Sequence, residues 1–349
     1  MEATVFNLKT LRIILLTIFV IFSVAKAREI KDMTGRKVVL PDKITKVISV
    51  SPPGTYLLYA IDPYVVAGLN FPFTEEEKKY LLPRFYNLPV IGGFFGQGRT
   101  LNVEEVLKIK PDFILIWAWN WKDSALQEKI EKSLKPLGIP WVNVKLDRLE
   151  DYPDAILFLG DILNKKDRSK KLYQYAINTF KEVKSVVDKI PPEKRIRVYY
   201  AEGPDGLQTE REKSVHAELI PMAGGINVHK GDPLDHYGKE QVSMEQVLMY
   251  NPDVILVEDR RFYEKIFLDH RWRNIKAVRE KRVYLIPRLP FNWFDRPPSF
   301  MRILGLKWLT NILYPDYYKI DIIKETKEFY KLFLQVNITD KEAKEILNK

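Results

Sequence analysis

A chain of 349 residues with a formal charge of +10, 46% apolar and 12% aromatic side chains, has the material for about two folded domains and excludes a disordered protein. It contains no cysteine, which removes disulfides, thiolate metal sites and a lipidated N-terminal cysteine. Its Lys and Arg residues are dispersed and build no long basic run, so no nucleic acid partner is expected.

Lys9 and Arg12 precede an apolar run over 13–24, which leads into Ala25-Lys26-Ala27, a small-x-small cleavage pattern. The run falls short of the ~20 residues that cross a bilayer. Residues 1–27 are therefore expected to be a signal peptide removed on export, leaving a chain from Arg28 onward that is free in a periplasm. The leader holds Lys9, Arg12 and Lys26 against Glu2, so +8 of the charge stays on the mature part.

From there the chain alternates. "KVISVSPPGTYLLYAI" (46–61) reads as strand, turn and helix, and "VVAGL" (65–69) as a further strand. "LNVEEVLKIKPDFILIW" (101–117) predicts a short helix with Asn102 as N-cap and Glu105 in capping-box position, a Pro-Asp turn and a buried strand. "GIPWVNV" (138–144) adds another strand. Residues 161–190 then contain no Gly or Pro, and Leu172, Ala176, Phe180, Val183, Val187 and Ile190 recur at steps of three and four. With Asp167 as cap and Pro191-Pro192 as stop, this predicts a helix of about 24 residues and ~36 Å, long enough to join two domains as a rigid spine.

Beyond it come strand "RVYYAEG" (197–203), a helix over "AELIPMAGGINV" (217–228), "VSMEQVLMYNPDVILVE" (242–258) and strand "RVYLIP" (282–287). The segment 242–258 repeats 101–117 at an offset of 141 residues, sharing Glu104/Glu245, Val106/Val247, Leu107/Leu248, Pro111/Pro252, Asp112/Asp253, Ile114/Ile255 and Leu115/Leu256. That period is too long for a solenoid and implies two similar lobes. The expected fold class is α/β, with two αβ lobes of mainly parallel sheet (28–165 and 193–349) joined by one spine helix (166–192). Ile323, Phe329, Leu332 and Phe333 predict a terminal helix of unassigned role.

In this order and spacing, "KVISVSPPGTYLLYAI", "NVEEVLKIKPDFILI", the spine, "AGGINV", "SMEQVLMYNPDVILV" and "WRNIKAVREKRVYLIP" leading to "FNWFDRPPS" resemble the class III substrate-binding proteins of ABC importers. The resemblance covers essentially the whole mature chain. It implies a ligand cleft between the lobes and small hinge motion. It further implies a permease dimer with its ATPase subunits as partner, membrane contact only through that permease, a monomer otherwise, and neither cofactor nor catalytic residue. Glu104 and Glu245 match family acids that dock on permease arginines, one per subunit.

Parallel sheets bind ligands at the carboxyl ends of their strands. The candidates there are Pro53, Tyr56, Phe95, Trp119 and Trp121 in the first lobe, and Glu202, Arg211, His216, Trp293 and Arg296 in the second. The aromatic residues suit a bulky organic or metal-containing ligand, and the arginines an anionic one. His216 is a possible ligand to the metal of a bound complex. Trp117, by contrast, is expected to pack as the end of a core strand. An iron chelate, such as an iron-siderophore, is the first expectation for the cargo, with cobalamin, haem and molybdate or tungstate left open. The rival class is a secreted αβ hydrolase using Glu202 or Asp205, although no G-x-S-x-G elbow or nucleotide loop is present.

Overall fold

The structure, a computed structural model, describes residues 27–94, 100–118, 124–235 and 238–348. An antiparallel ribbon of β1 (Ala27–Lys31) and β2 (Lys37–Pro41) opens the described chain. Behind it β3 (Val47–Ser49), β4 (Phe113–Trp117) and β5 (Trp141–Val144) form a parallel sheet in the order β3-β4-β5. The second lobe is built on β6 (Arg197–Ala201), β8 (Ile226–Asn227), β10 (Val254–Val257) and β11 (Val283–Leu285), parallel in the order β11-β10-β6-β8. A small ribbon of β7 (Gln208–Thr209) and β9 (Glu240–Gln241) lies beside it. Every residue of β4 and β10 is buried, which is why both are continuous apolar runs without alternation.

The two copies of the repeat fold alike. Helices Val103–Ile109 and Met244–Tyr250 are capped by Asn102 and Ser243, whose side chains accept the Glu105 and Gln246 N–H groups. Each helix ends on a left-handed residue, Lys110 (φ 52°) or Asn251 (φ 38°), just ahead of the proline. The aspartate that follows pins the neighbouring strand: Asp112 accepts the N–H groups of Thr45 and Lys46 at 2.6 and 2.9 Å, and Asp253 that of Arg197 at 2.9 Å. The Pro-Asp signature is thus a clamp at the entry to β3 and β6.

The spine helix runs over Lys166–Val187, 22 residues or ~33 Å. It begins one residue before Asp167 without a side-chain cap, and ends before Ile190. Leu172, Ala176, Val183 and Val187 are buried along it, as their spacing predicts. Lys307 Nζ lies 3.0 Å from Glu182 on the spine, and the Tyr318 hydroxyl donates to the same carboxylate at 2.8 Å.

Three elements differ from expectation. The strand expected over 65–69 is reduced to two single bridges, Val66 with Val47 and Leu69 with Val90. The helix predicted over 217–228 is reduced to a 3-10 turn (Val215–Ala217) and one helical turn (Leu219–Met222), because Gly224 turns left-handed (φ +81°) and hands Ile226 and Asn227 to the sheet edge as β8. The C-terminal segment is more than one helix. Helix Ile322–Phe329, a π-turn at Tyr330–Leu334 and helix Asp340–Ile346 return the chain to the first lobe. There the Tyr59 hydroxyl donates to the Leu334 carbonyl (2.8 Å), and Arg168 on the spine donates to the carbonyls of Ala60 and Leu332, both at 2.8 Å. One continuous apolar cluster therefore joins the first lobe, the spine and the C-terminal helices.

Candidate ligand-binding site

The carboxyl ends of the two sheets face a common junction. Tyr56, on helix Pro52–Ile61 just after β3, stacks on Phe291 from the loop after β11, with centroids 3.8 Å apart. Nearby, Glu218 of the second lobe accepts the Leu149 N–H (2.7 Å) from the loop after β5, and is paired with the buried Arg302.

At this junction the second lobe gathers charge. Glu202 follows β6, Glu258 follows β10, and the loop after β11 carries Asp295 and Arg296. Arg296 Nε donates to Glu202 Oε1 (2.7 Å), its Nη2 donates to Glu210, and Nε lies 3.5 Å from Asp295. Lys239 Nζ lies 3.6 Å from Glu202 and 3.1 Å from Glu258. His216 Nδ1 is 2.7 Å from Asp295 Oδ2. The Ser214 hydroxyl and the Lys239 N–H both donate to Glu210, at 2.8 and 2.9 Å.

The cluster is layered by sign. The side chains of Glu202, Glu210 and Asp295 are 0%, 0% and 1% exposed, while those of Lys239, Arg296 and His216 are 33%, 20% and 11% exposed. Glu202, Glu210 and Asp295 lie underneath, while Glu258, 18% exposed, sits level with the cationic heads. Burial pushes the Glu202 carboxyl up to about 8, with Arg296 opposing the rise and Glu210 and Glu258 adding to it. Its Oε2 is buried without a hydrogen-bond partner among the described residues. Burial alone would lower His216, yet contact with Asp295 raises it and favours the imidazolium. Burial would likewise raise Asp295, but His216 and then Arg296 hold it below the usual carboxylate range.

The loop that presents Asp295 and Arg296 is fixed from several sides. Asn292 Oδ1 accepts the N–H groups of Phe294 and Asp295 at 2.8 and 3.1 Å. At Gly305, on helix Arg302–Leu313, a Cβ would come within 1.8 Å of the Trp293 carbonyl oxygen, so only glycine lets the loop lie this close. Arg296 itself is left-handed at φ 52°.

The expected residues separate into groups. Glu202, His216 and Arg296 come together in the layered cluster. Pro53 is buried in the first turn of its helix, and Tyr56 spends its ring on Phe291. Trp293 requires a correction: it is fully buried, with its indole N–H directed at the Leu289 carbonyl (3.3 Å), because the loop folds back on Gly305 and turns the ring into the core. Arg211 belongs to a neighbouring cluster, where its Nε–H is shared between both oxygens of Glu240 (2.7 and 2.8 Å). Glu240 also meets His229, and His229 meets Tyr250. Phe95, Trp119 and Trp121 lie outside the described residues. Trp117 is packed, its indole donating to Asp147 (2.9 Å). Asp205 forms a turn by accepting the Leu207 N–H. Glu210, Lys239 and Glu258 were not anticipated.

The first lobe offers a neutral counterpart. Thr55 donates to Asn70 Oδ1 (2.7 Å), Asn70 Nδ2 donates to the carbonyls of Ser49 and Gly92 (2.9 and 2.8 Å), and the Ser49 hydroxyl donates to the Leu115 carbonyl (3.1 Å). Ser49, Ser51, Thr55 and Asn70 are all buried.

The sequence profile described as periplasmic binding protein matches residues 88–289. The chain belongs to this family. An ABC transporter solute-binding protein from Sulfurospirillum deleyianum is 38% identical in sequence and superposes with a TM-score of 0.85 over 92% of this chain and 99% of its own. The molybdate-binding protein MolA of Haemophilus influenzae is 28% identical over 358 aligned positions, 95% of this chain and 97% of its own. The haem uptake protein IsdE of Staphylococcus aureus is 28% identical over 64% of this chain. This is therefore a periplasmic binding protein of an ABC transporter and not an enzyme, so the hydrolase reading falls. No helix among the described residues is long and apolar enough to cross a membrane.

Proposed function

We propose that the cargo is an anionic, metal-containing ligand, of the molybdate or tungstate type ahead of the iron chelate that was the first expectation. The observation that carries this reading is the layered cluster: Arg296, Lys239 and His216 are each more exposed than the carboxylates they pair with. An oxyanion meets donors already oriented by buried acids, so little reorganisation is needed on binding. Support also comes from the relative named for molybdate, which aligns along nearly the whole chain, whereas the haem relative aligns along 64%. The raised His216 favours a hydrogen-bond donor to an anion over direct ligation of metal, since ligation needs the neutral ring.

An anionic iron chelate is the second reading, favoured by the "WAWNW" run (117–121) at the carboxyl end of β4. Export through cleavage after Ala27 and the lobe limits 28–165, 166–192 and 193–349 belong to the same proposal. So does docking on the paired permease subunits through Glu104 and Glu245, which are both exposed.

Thermal shift and titration calorimetry on the mature protein test the cargo. Molybdate or tungstate should raise the melting temperature in proportion to RT ln(1 + [L]/Kd), with sulfate much weaker, and R296Q should abolish the effect. A shift with ferric chelates alone, or with none of these ligands, would overturn the oxyanion reading.

A further inference from the structure

The seven identities shared by the two repeats can be sorted by what each does in the fold. Val106, Ile114 and Leu115, with Val247, Ile255 and Leu256, are core residues without solvent exposure. Pro111 and Pro252 are buried where the helices stop, and Asp112 and Asp253 clamp strand entries. These five pairs are explained by folding. Two pairs are left over, and both point outward: Glu104/Glu245 and Leu107/Leu248.

The leucines are the informative pair. Leu107 is 47% and Leu248 42% exposed, so each leaves a large part of its apolar surface to solvent. A single exposed leucine on a surface is ordinary. Two at equivalent positions of two lobes, each three residues along the same helix face from an exposed glutamate, are not explained by chance exposure. The positions around them differ between lobes: Lys108 corresponds to Met249 and Lys110 to Asn251. What is duplicated is an acid beside a leucine.

We infer that Leu107 and Leu248 are apolar contacts of the docking surface, each paired with its glutamate against one half of a two-fold partner. This rests on the docking reading of Glu104 and Glu245 and deepens it. The partner is the importer's permease, made of two equivalent subunits, each presenting a basic side chain next to a small apolar hollow. The acid supplies orientation and encounter rate, while the leucine excludes water from the ion pair and slows release. A matched pair of such contacts is what two equivalent subunits would read. Lys108 Nζ stays near Glu105 at 3.4 Å, leaving Glu104 without an ion pair among the described residues, and Glu245 has only local contacts with Ser243 and its own N–H.

The test uses the full mature chain and the permease–ATPase complex of the same organism in nanodiscs, with docking followed by surface plasmon resonance. L107D and L248D should each weaken docking about tenfold, chiefly through faster release, and the double variant more than either. L107M and L248M should dock as the unaltered protein does. Melting curves should match throughout, since both sites are exposed. If E104Q and E245Q weaken docking but the leucine variants do not, the inference fails and the docking reading stands. If none of the four weakens docking, both fail. If sedimentation shows a dimer of this chain that L107D or L248D dissociates, the leucines serve self-association and the inference is overturned.

Discussion

The two lobes share a strand entry to the residue, yet the mouths they build differ in kind. The first closes its sheet with neutral groups, Ser49, Thr55 and Asn70, whose hydrogen bonds are internal and nearly saturated. The second places three carboxylates under three cationic heads at the matching edge. Among the described residues, the duplicated scaffold thus carries a network of neutral hydrogen bonds beside β3 and an ion-pair cluster at the matching edge of the second sheet. Shared topology places the loops, and the loops alone decide the chemistry.

Breaking the charged mouth should cost most. R296A would leave Glu202, Glu210 and Asp295 without their common partner, and is expected to lower unfolding stability by about 3–5 kcal/mol in chemical denaturation, together with loss of ligand binding. Breaking the neutral mouth should cost less. N70A orphans the buried carbonyls of Ser49 and Gly92 and the Thr55 hydroxyl, so about 1–3 kcal/mol is expected, with ligand affinity little changed by calorimetry. Equal losses of affinity in the two variants would dissolve the distinction between the lobes.

The finest effect is on pH dependence. Glu202 titrates near 8 in the folded protein against about 4.3 unfolded, so between those values the folded state binds more protons and stability falls as pH rises. His216, also raised, acts in the same direction, its contribution being present at low pH and lost as pH climbs through its folded value. Melting temperature should therefore decline from pH 5 to pH 8, and E202Q should flatten the slope by about one proton. An unaltered slope in E202Q would show that Glu202 is ionised throughout.

Much of the scaffold was legible because it rests on local signals. The stops at Pro111 and Pro252, the apolar runs behind them and the spacing of Leu172, Ala176, Val183 and Val187 each act within a few residues, whereas the clamps made by Asp112 and Asp253 span 66 and 56 positions and were not read. The charged mouth was harder to read. Arg296 meets Glu202 and Glu210 across 94 and 86 positions, and nothing in "LQTER" marks Glu210 as buried while its neighbour Arg211 pairs elsewhere. Trp293 was misplaced for a similar reason, since its burial depends on Gly305 in a helix that follows. The return of the C-terminal helices depends on backbone carbonyls at Ala60, Leu332 and Leu334, groups that every residue type carries.

That return has a consequence for how the molecule is made. The carbonyls that hold Tyr59 and Arg168 in place come from Leu332 and Leu334, so the first lobe locks only once chain more than 150 residues further on has folded against it. A chain whose helices beyond Ile322 have not yet docked would leave the apolar wall around Tyr59 and Leu172 bare, a surface that chaperones and proteases recognise.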